Sequence, residues 1–188
     1  MQTAPHPEDE IDRLRALLSY EVLDTDPEPA FDELTELLAE ILQVPVALVS
    51  LIDDKRQWFK SHHGLDATET PRELAFCAHA ILEDSPLIVE DSSQDVRFAD
   101  NPLVTGAPHV RFYAGMPLIT PTGHRLGTLC GIDHKPRQLS ERQRRALEIV
   151  SRQVMAQLEL RKQLLLQQRV IEEQDGLMSN MRAYVDLE

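Results

Sequence analysis

The chain has 188 residues, 42% of them hydrophobic and 27% charged, enough for one packed domain of roughly 150 residues plus an appended segment and too many for global disorder. Nineteen basic against 32 acidic residues leave a net charge of −13, which argues against a phosphate-neutralising nucleic-acid surface and against anionic membranes. Two cysteines, Cys77 and Cys130, are too few for a disulfide scaffold. The proline-bearing start, Met1 to Asp9, lacks the basic and apolar stretches of a signal peptide, and no apolar run is long enough to span a bilayer. The chain reads as a soluble cytoplasmic protein.

Ile11, Leu14, Leu17 and Leu18 have the spacing of a helix over 8–19 with one wet face. Asp26 and Pro27 then have the chemistry of a cap and first residue for a second helix. Its apolar face is Phe31, Leu34, Leu37, Leu38, Ile41 and Leu42. The β-branched run from Val44 to Ile52 reads as a buried strand, with Gln57 to His63 as its hairpin return. Thr70-Pro71-Arg72-Glu73 combines a Thr cap, an early Pro and a Glu three residues after the cap, which predicts a helix from 70 to about 83. A short strand follows at 86–91, then an irregular stretch at 92–108 with one helical turn near Asn101. A second hairpin joins strands 110–119 and 126–132. Ser140 and Gln143 form a further capping box, opening a helix to about residue 175 that would be about 52 Å long.

A helix of that length exceeds what so small a domain can cover. Leu147, Val150, Val154 and Leu158 follow an a/d pattern. Leu164, Ile171 and Met178 recur every seven residues on a shifted register, like a stutter in a coiled coil. Arg161, Gln157 and Gln168 interrupt the seam. The element order gives an α+β fold: an antiparallel sheet with helices on one face, a ligand-sized cover from 64–108 on the other, and the long C-terminal helix. The expected division is a flexible 1–9, a core over 10–138 and a helical linker over 139–188.

Several strings resemble those of GAF domains, the small-molecule sensory modules of bacterial histidine kinases and diguanylate cyclases. They are Phe76-Cys77-Ala78-His79-Ala80-Ile81, Pro86 to Asp91, Asp95 to Val104, Arg111 to Leu118 and Gly127 to Asp133. The resemblance covers about residues 10–160. It implies a homodimer paired through terminal helices, a small-molecule ligand, and a fused output domain beyond residue 188. Leu187-Glu188 is expected to be an added, vector-derived ending.

Phe59, Cys77, Arg97, Tyr113 and Cys130 are the candidate ligand residues. Among relatives of this fold, cysteines serve redox sensing, tetrapyrrole attachment or methionine-sulfoxide reduction; alternatively both thiols are small core hydrophobes. Ala78 separates Cys77 from His79, unlike the Cys-His pair common in bilin binders. Arg97 has the guanidinium fork to clamp an anion, or to pair with a nearby carboxylate and pin its loop. Arg111 and Tyr113 share a strand face. His62-His63 lies at a strand end, one side chain toward the sheet interior and one toward solvent. Cys77, His79, Cys130 and His134 have zinc-type donors, but positions i and i+2 of a helix diverge, so no metal is expected. The residues identify no cofactor. No phosphate loop, nucleophile elbow or metalloprotease motif is present, so the chain itself is expected not to be an enzyme, with kinase or cyclase activity left to the output domain. The main reading is a sensory and dimerisation module. The alternative is a stand-alone cysteine-dependent enzyme of the free methionine sulfoxide reductase type.

Overall fold

The computed structural model describes residues 1–185; Leu187 and Glu188 lie outside the described residues. Six strands form one sheet: β1 Val46–Ile52, β2 Arg56–His63, β3 Glu69–Pro71, β4 Leu87–Val89, β5 Phe112–Ile119 and β6 Arg125–Asp133. Their order is β3-β2-β1-β6-β5-β4, and every pairing is antiparallel. Because side chains alternate across a strand, the wholly buried β1 feeds two cores. Ala47, Val49 and Leu51 join the helix-side core; Val46, Leu48 and Ile52 join the core beneath the cover.

Helices α1 (Glu10–Ser19), α2 (Pro29–Leu42) and the long C-terminal α5 (Glu141–Val185) pack on the first face. The other face carries α3 (Phe76–Ala80) and α4 (Pro102–Thr105). The expected fold class therefore holds, with four local corrections. In α1 the buried positions are Arg13 and Leu17, while Ile11 and Leu18 are exposed. Arg13 is tolerated inside because Glu10 neutralises it in a fork, Nε and Nη2 at 2.8 and 3.0 Å. The second helix opens at Pro29 rather than Pro27, because Glu28 keeps the extended backbone of a cap. The expected helix from Thr70 is a strand, a single 3-10 turn at Arg72–Leu74 and only five residues of α3. Thr70 pairs with Gln57 in the ladder, and its hydroxyl accepts from Gln57 Nε2 at 2.9 Å instead of capping a helix.

The fourth correction concerns α5. Its capping box forms: Ser140 Oγ accepts from the Gln143 amide and Gln143 Oε1 accepts from the Ser140 amide. The helix then runs 45 residues, through Gly176, or roughly 68 Å. Leu147, Val150, Val154 and Leu158, expected in an intermolecular seam, are buried against the domain's own sheet. A 3.6-residue apolar stripe against a sheet and an a/d seam begin with the same spacing. Among the described residues, the large apolar side chains left exposed on α5 are Ile149, Leu160, Leu164, Leu166, Val170, Ile171, Leu177, Met178 and Met181.

Residues 1–9 make contacts of their own. The Gln2 amide donates to the Arg97 carbonyl, Ala4 packs on the cover-side core, and Asp9 bonds the His124 ring. No helix among the described residues is long and apolar enough to cross a membrane.

Candidate functional site

A cavity of about 150 Å³ lies between the sheet and its cover. Leu48, Phe59, Tyr113 and Ile132 rise from the sheet; Phe76 and Cys77 come from α3, and Leu103 from α4. Gln57 and Thr70 supply a polar edge. Phe76 is held in place by stacking on the buried Phe98, ring centroids 4.0 Å apart and planes 10° from parallel. An apolar void of this size holds a benzene-sized molecule. A nucleotide-sized ligand needs the cover to open.

Below the cavity runs a row of polar side chains that crosses five strands. Thr70 on β3 bonds Gln57 on β2, which accepts from Ser50 on β1 at 2.8 Å. Ser50 sits directly opposite Thr128 on β6, and Thr128 is 3.4 Å from the Tyr113 hydroxyl of β5. The row converges on one sulfur. Thr128 Oγ1 and Tyr113 Oη donate to Cys77 Sγ at 3.1 and 3.2 Å, and Cys130 Sγ lies 3.9 Å away. Gly115 makes this possible, because a Cβ there would run into the Tyr113 hydroxyl.

Burial alone pushes the Cys77 thiol up; hydrogen bonds around the sulfur, those of Cys130, Thr128 and Tyr113 among them, outweigh it and bring it down to about 7. Its hydrogen bond to Cys77, together with burial, pushes the Cys130 thiol up. Burial likewise keeps Tyr113 protonated. In place of a position well along a helix from Thr70, Cys77 is the second residue of the short α3, where the hydroxyls of Thr128 and Tyr113 reach its sulfur. Both thiols are buried. A bulky, charged reagent such as DTNB is therefore expected to label them slowly in the native protein and fast after unfolding. Rapid native labelling of either would show that the cover does not close the cavity.

The sheet and α3 bring together Phe59, Cys77, Tyr113 and, behind Cys77, Cys130. Arg97 lies outside the cavity. Its guanidinium forks onto Asp95 at 2.9 and 2.6 Å and packs over Phe98, whose ring takes the inward position. Arg111 also turns to the loop, Nη1 donating to the Val104 carbonyl at 2.9 Å. His62 and His63 are both exposed. His79 stands edge-on to Phe98 and His134 bonds the Pro108 carbonyl, so neither faces the sulfurs. A wider cleft of about 470 Å³ borders Lys60. The Lys60 ammonium is fully buried and held by Thr25, Asp26 and Glu28, so its charge is already satisfied and does not reach into that cleft. The polar row and the Cys77–Cys130 contact escape sequence reasoning because their members are up to 78 positions apart. Small polar residues inside otherwise apolar strands (Ser50, Thr128) were the available signal.

The geometry matches a known family. The GAF domain model matches residues 26–158, and the chain belongs to the GAF domain family. The chain is 41% identical, over all 188 residues, to a cyclic di-GMP phosphodiesterase of Pseudomonas aeruginosa, and spans 31% of that protein's length. Among solved structures, the GAF domain of an Acinetobacter phosphoenolpyruvate-protein phosphotransferase superposes with a TM-score of 0.59 at 18% identity, covering 81% of this chain and 93% of that one. Free methionine-R-sulfoxide reductase from Neisseria meningitidis, crystallised with its substrate, gives 0.59 at 16% identity, covering 87% and 99%. At such identities these two share the fold. The phosphodiesterase corrects the expectation of a non-enzyme: a relative that matches this chain from end to end is named as an enzyme.

Proposed function

We propose that this chain is the cytoplasmic regulatory domain of a longer cyclic di-GMP phosphodiesterase, dimeric through its C-terminal helix. In this reading a small, largely apolar molecule enters the sheet-side cavity, contacts Phe59, Cys77 and Tyr113, and biases how two α5 helices pair. The observation that carries it is the 41% identity, across the whole chain, to a protein named for that activity and about three times as long.

Helix α5 has two parts that suit a relay. Residues up to Leu158 are locked into the domain core. Beyond them, Leu160, Leu164, Gln167, Ile171, Gln174, Met178 and Met181 alternate at steps of four and three, all exposed. That is an a/d seam with two glutamines in it, apolar enough to pair and polar enough to hold two arrangements of similar energy. A ligand shifts such a pair only through its differential affinity for the two arrangements. A stand-alone cysteine enzyme would have no use for this seam.

The full-length protein tests the reading. It is expected to hydrolyse cyclic di-GMP, and Leu103→Trp, which fills the cavity from α4, is expected to change that rate at least threefold, roughly 0.7 kcal/mol of population shift. Absence of hydrolysis contradicts the phosphodiesterase assignment. Equal rates in both proteins contradict the role of the cavity.

A further inference from the structure

We infer that Cys77 and Cys130 form a dithiol site at the floor of the cavity, which a small hydroperoxide converts into an intramolecular disulfide. The inference rests on the proposed access of small molecules to the cavity, and not on the phosphodiesterase assignment.

Three observations support it independently. The two sulfurs are 3.9 Å apart, on α3 and β6, with no side chain between them. Cys77 lines the cavity, whereas Cys130 lies behind it, fully buried. One thiol is thus placed to meet an incoming molecule and the other to attack the product. Finally, Tyr113 and Thr128 aim hydroxyls at Cys77 Sγ from 3.2 and 3.1 Å. Buried polar groups cost free energy unless paired, and a row of five is a poor way to pack inert methyl-sized residues. Donors arranged around a sulfur favour its thiolate, the nucleophilic form.

The chemistry balances. Cys77 sulfur attacks one peroxide oxygen: an S–O bond forms and the O–O bond breaks. The leaving alkoxide takes up the proton released by Cys77, which the Tyr113 hydroxyl is near enough to pass on. Cys77 is now a sulfenic acid and the peroxide has been reduced to an alcohol, or to water for hydrogen peroxide. Cys130 sulfur then attacks Cys77: the S–S bond forms, the S–O bond breaks, and hydroxide leaves as water with the Cys130 proton. In sum, two thiols and one hydroperoxide give a disulfide, an alcohol and a water. A disulfide needs its sulfurs about 2 Å apart, so the two sulfurs must close from 3.9 Å, by side-chain rotation together with a shift of α3 toward β6. Cys77 and Phe76 both belong to α3 and both line the cavity, so oxidation would contract the space in which a ligand sits.

The experiment treats the native 188-residue chain with hydrogen peroxide and, separately, with iodoacetamide, and reads intact mass and thiol count after unfolding. The expected result with peroxide is loss of two hydrogens and fall of the free thiols from two per chain to none, both reversed by dithiothreitol. Cys130→Ser is expected to stop at a dimedone-reactive sulfenic acid on Cys77, and Cys77→Ser to give none. Iodoacetamide is expected to label Cys77 ahead of Cys130. Alkylation of Cys77 without disulfide formation overturns the dithiol site and leaves cavity access standing. A wild-type protein that neither reagent modifies overturns both.

Discussion

Replacing Glu10 with alanine is expected to destabilise the domain by about 3 kcal/mol. The Glu10 carboxylate accepts from Arg13, whose side chain is fully buried, and from Arg72 at 2.5 Å, whose side chain is 9% exposed. Each arginine has one further acceptor, the carbonyls of Arg125 and Asp53, which carry no charge. Removing one partner of a buried ion pair costs about 3 to 5 kcal/mol because the other charge is left uncompensated; partial exposure of Glu10 puts this case at the lower end. For a chain of this size the midpoint of thermal unfolding should fall by roughly 6 to 12 °C. The same group sets an acid dependence. Burial raises its pKa, but the two guanidinium groups outweigh burial and hold it at about 2, below the ordinary 4.5. A depressed carboxylate contributes stability that is complete above about 4.5 and is lost as pH falls toward 2. Circular dichroism melts from pH 6 to pH 3 should therefore show wild type and E10A converging as the pH drops. A gap that stays constant across this window would mean that Glu10 acts through packing and not through charge.

The double substitution L164E/I171E is expected to weaken self-association at least about 100-fold, roughly 3 kcal/mol, without altering the fold. Both side chains are exposed in the single chain, at 55% and 57%, so the domain core loses nothing. In a parallel pair each glutamate would face its copy across the seam. Sedimentation velocity at matched concentrations separates the outcomes: dimeric wild type and monomeric variant, or two identical profiles, which would remove this stretch from the interface. Truncation after about residue 155 would be a poorer test, since it would also strip the buried Leu158 from the core.

The sheet was legible because β1 is a long β-branched run and because Pro121-Thr122-Gly123 marks one hairpin. The capping box at Ser140 was legible because both of its hydrogen bonds are local. What failed was long-range. Thr70-Pro71-Arg72-Glu73 has helix-start chemistry, but ladder pairing with Gln57 and burial of Arg72 onto Glu10 override it. Arg13 reads as a surface residue until its carboxylate partner and its place on the buried face of α1 are known. The two cysteines reveal nothing by position, 53 residues apart; only the sheet register and α3 make them neighbours.

The relay account depends most on α5 helices pairing side by side beyond Leu158. A nitroxide on Glu172→Cys, an exposed position next to Ile171, tests this by double electron–electron resonance in a background in which Cys77 and Cys130 are replaced by serine, so that only the introduced thiol takes the label. Two parallel helices pack about 10 Å apart; with two label arms the account predicts one distance of roughly 20 to 35 Å. Absence of dipolar coupling, or a single distance well beyond that range, would contradict it.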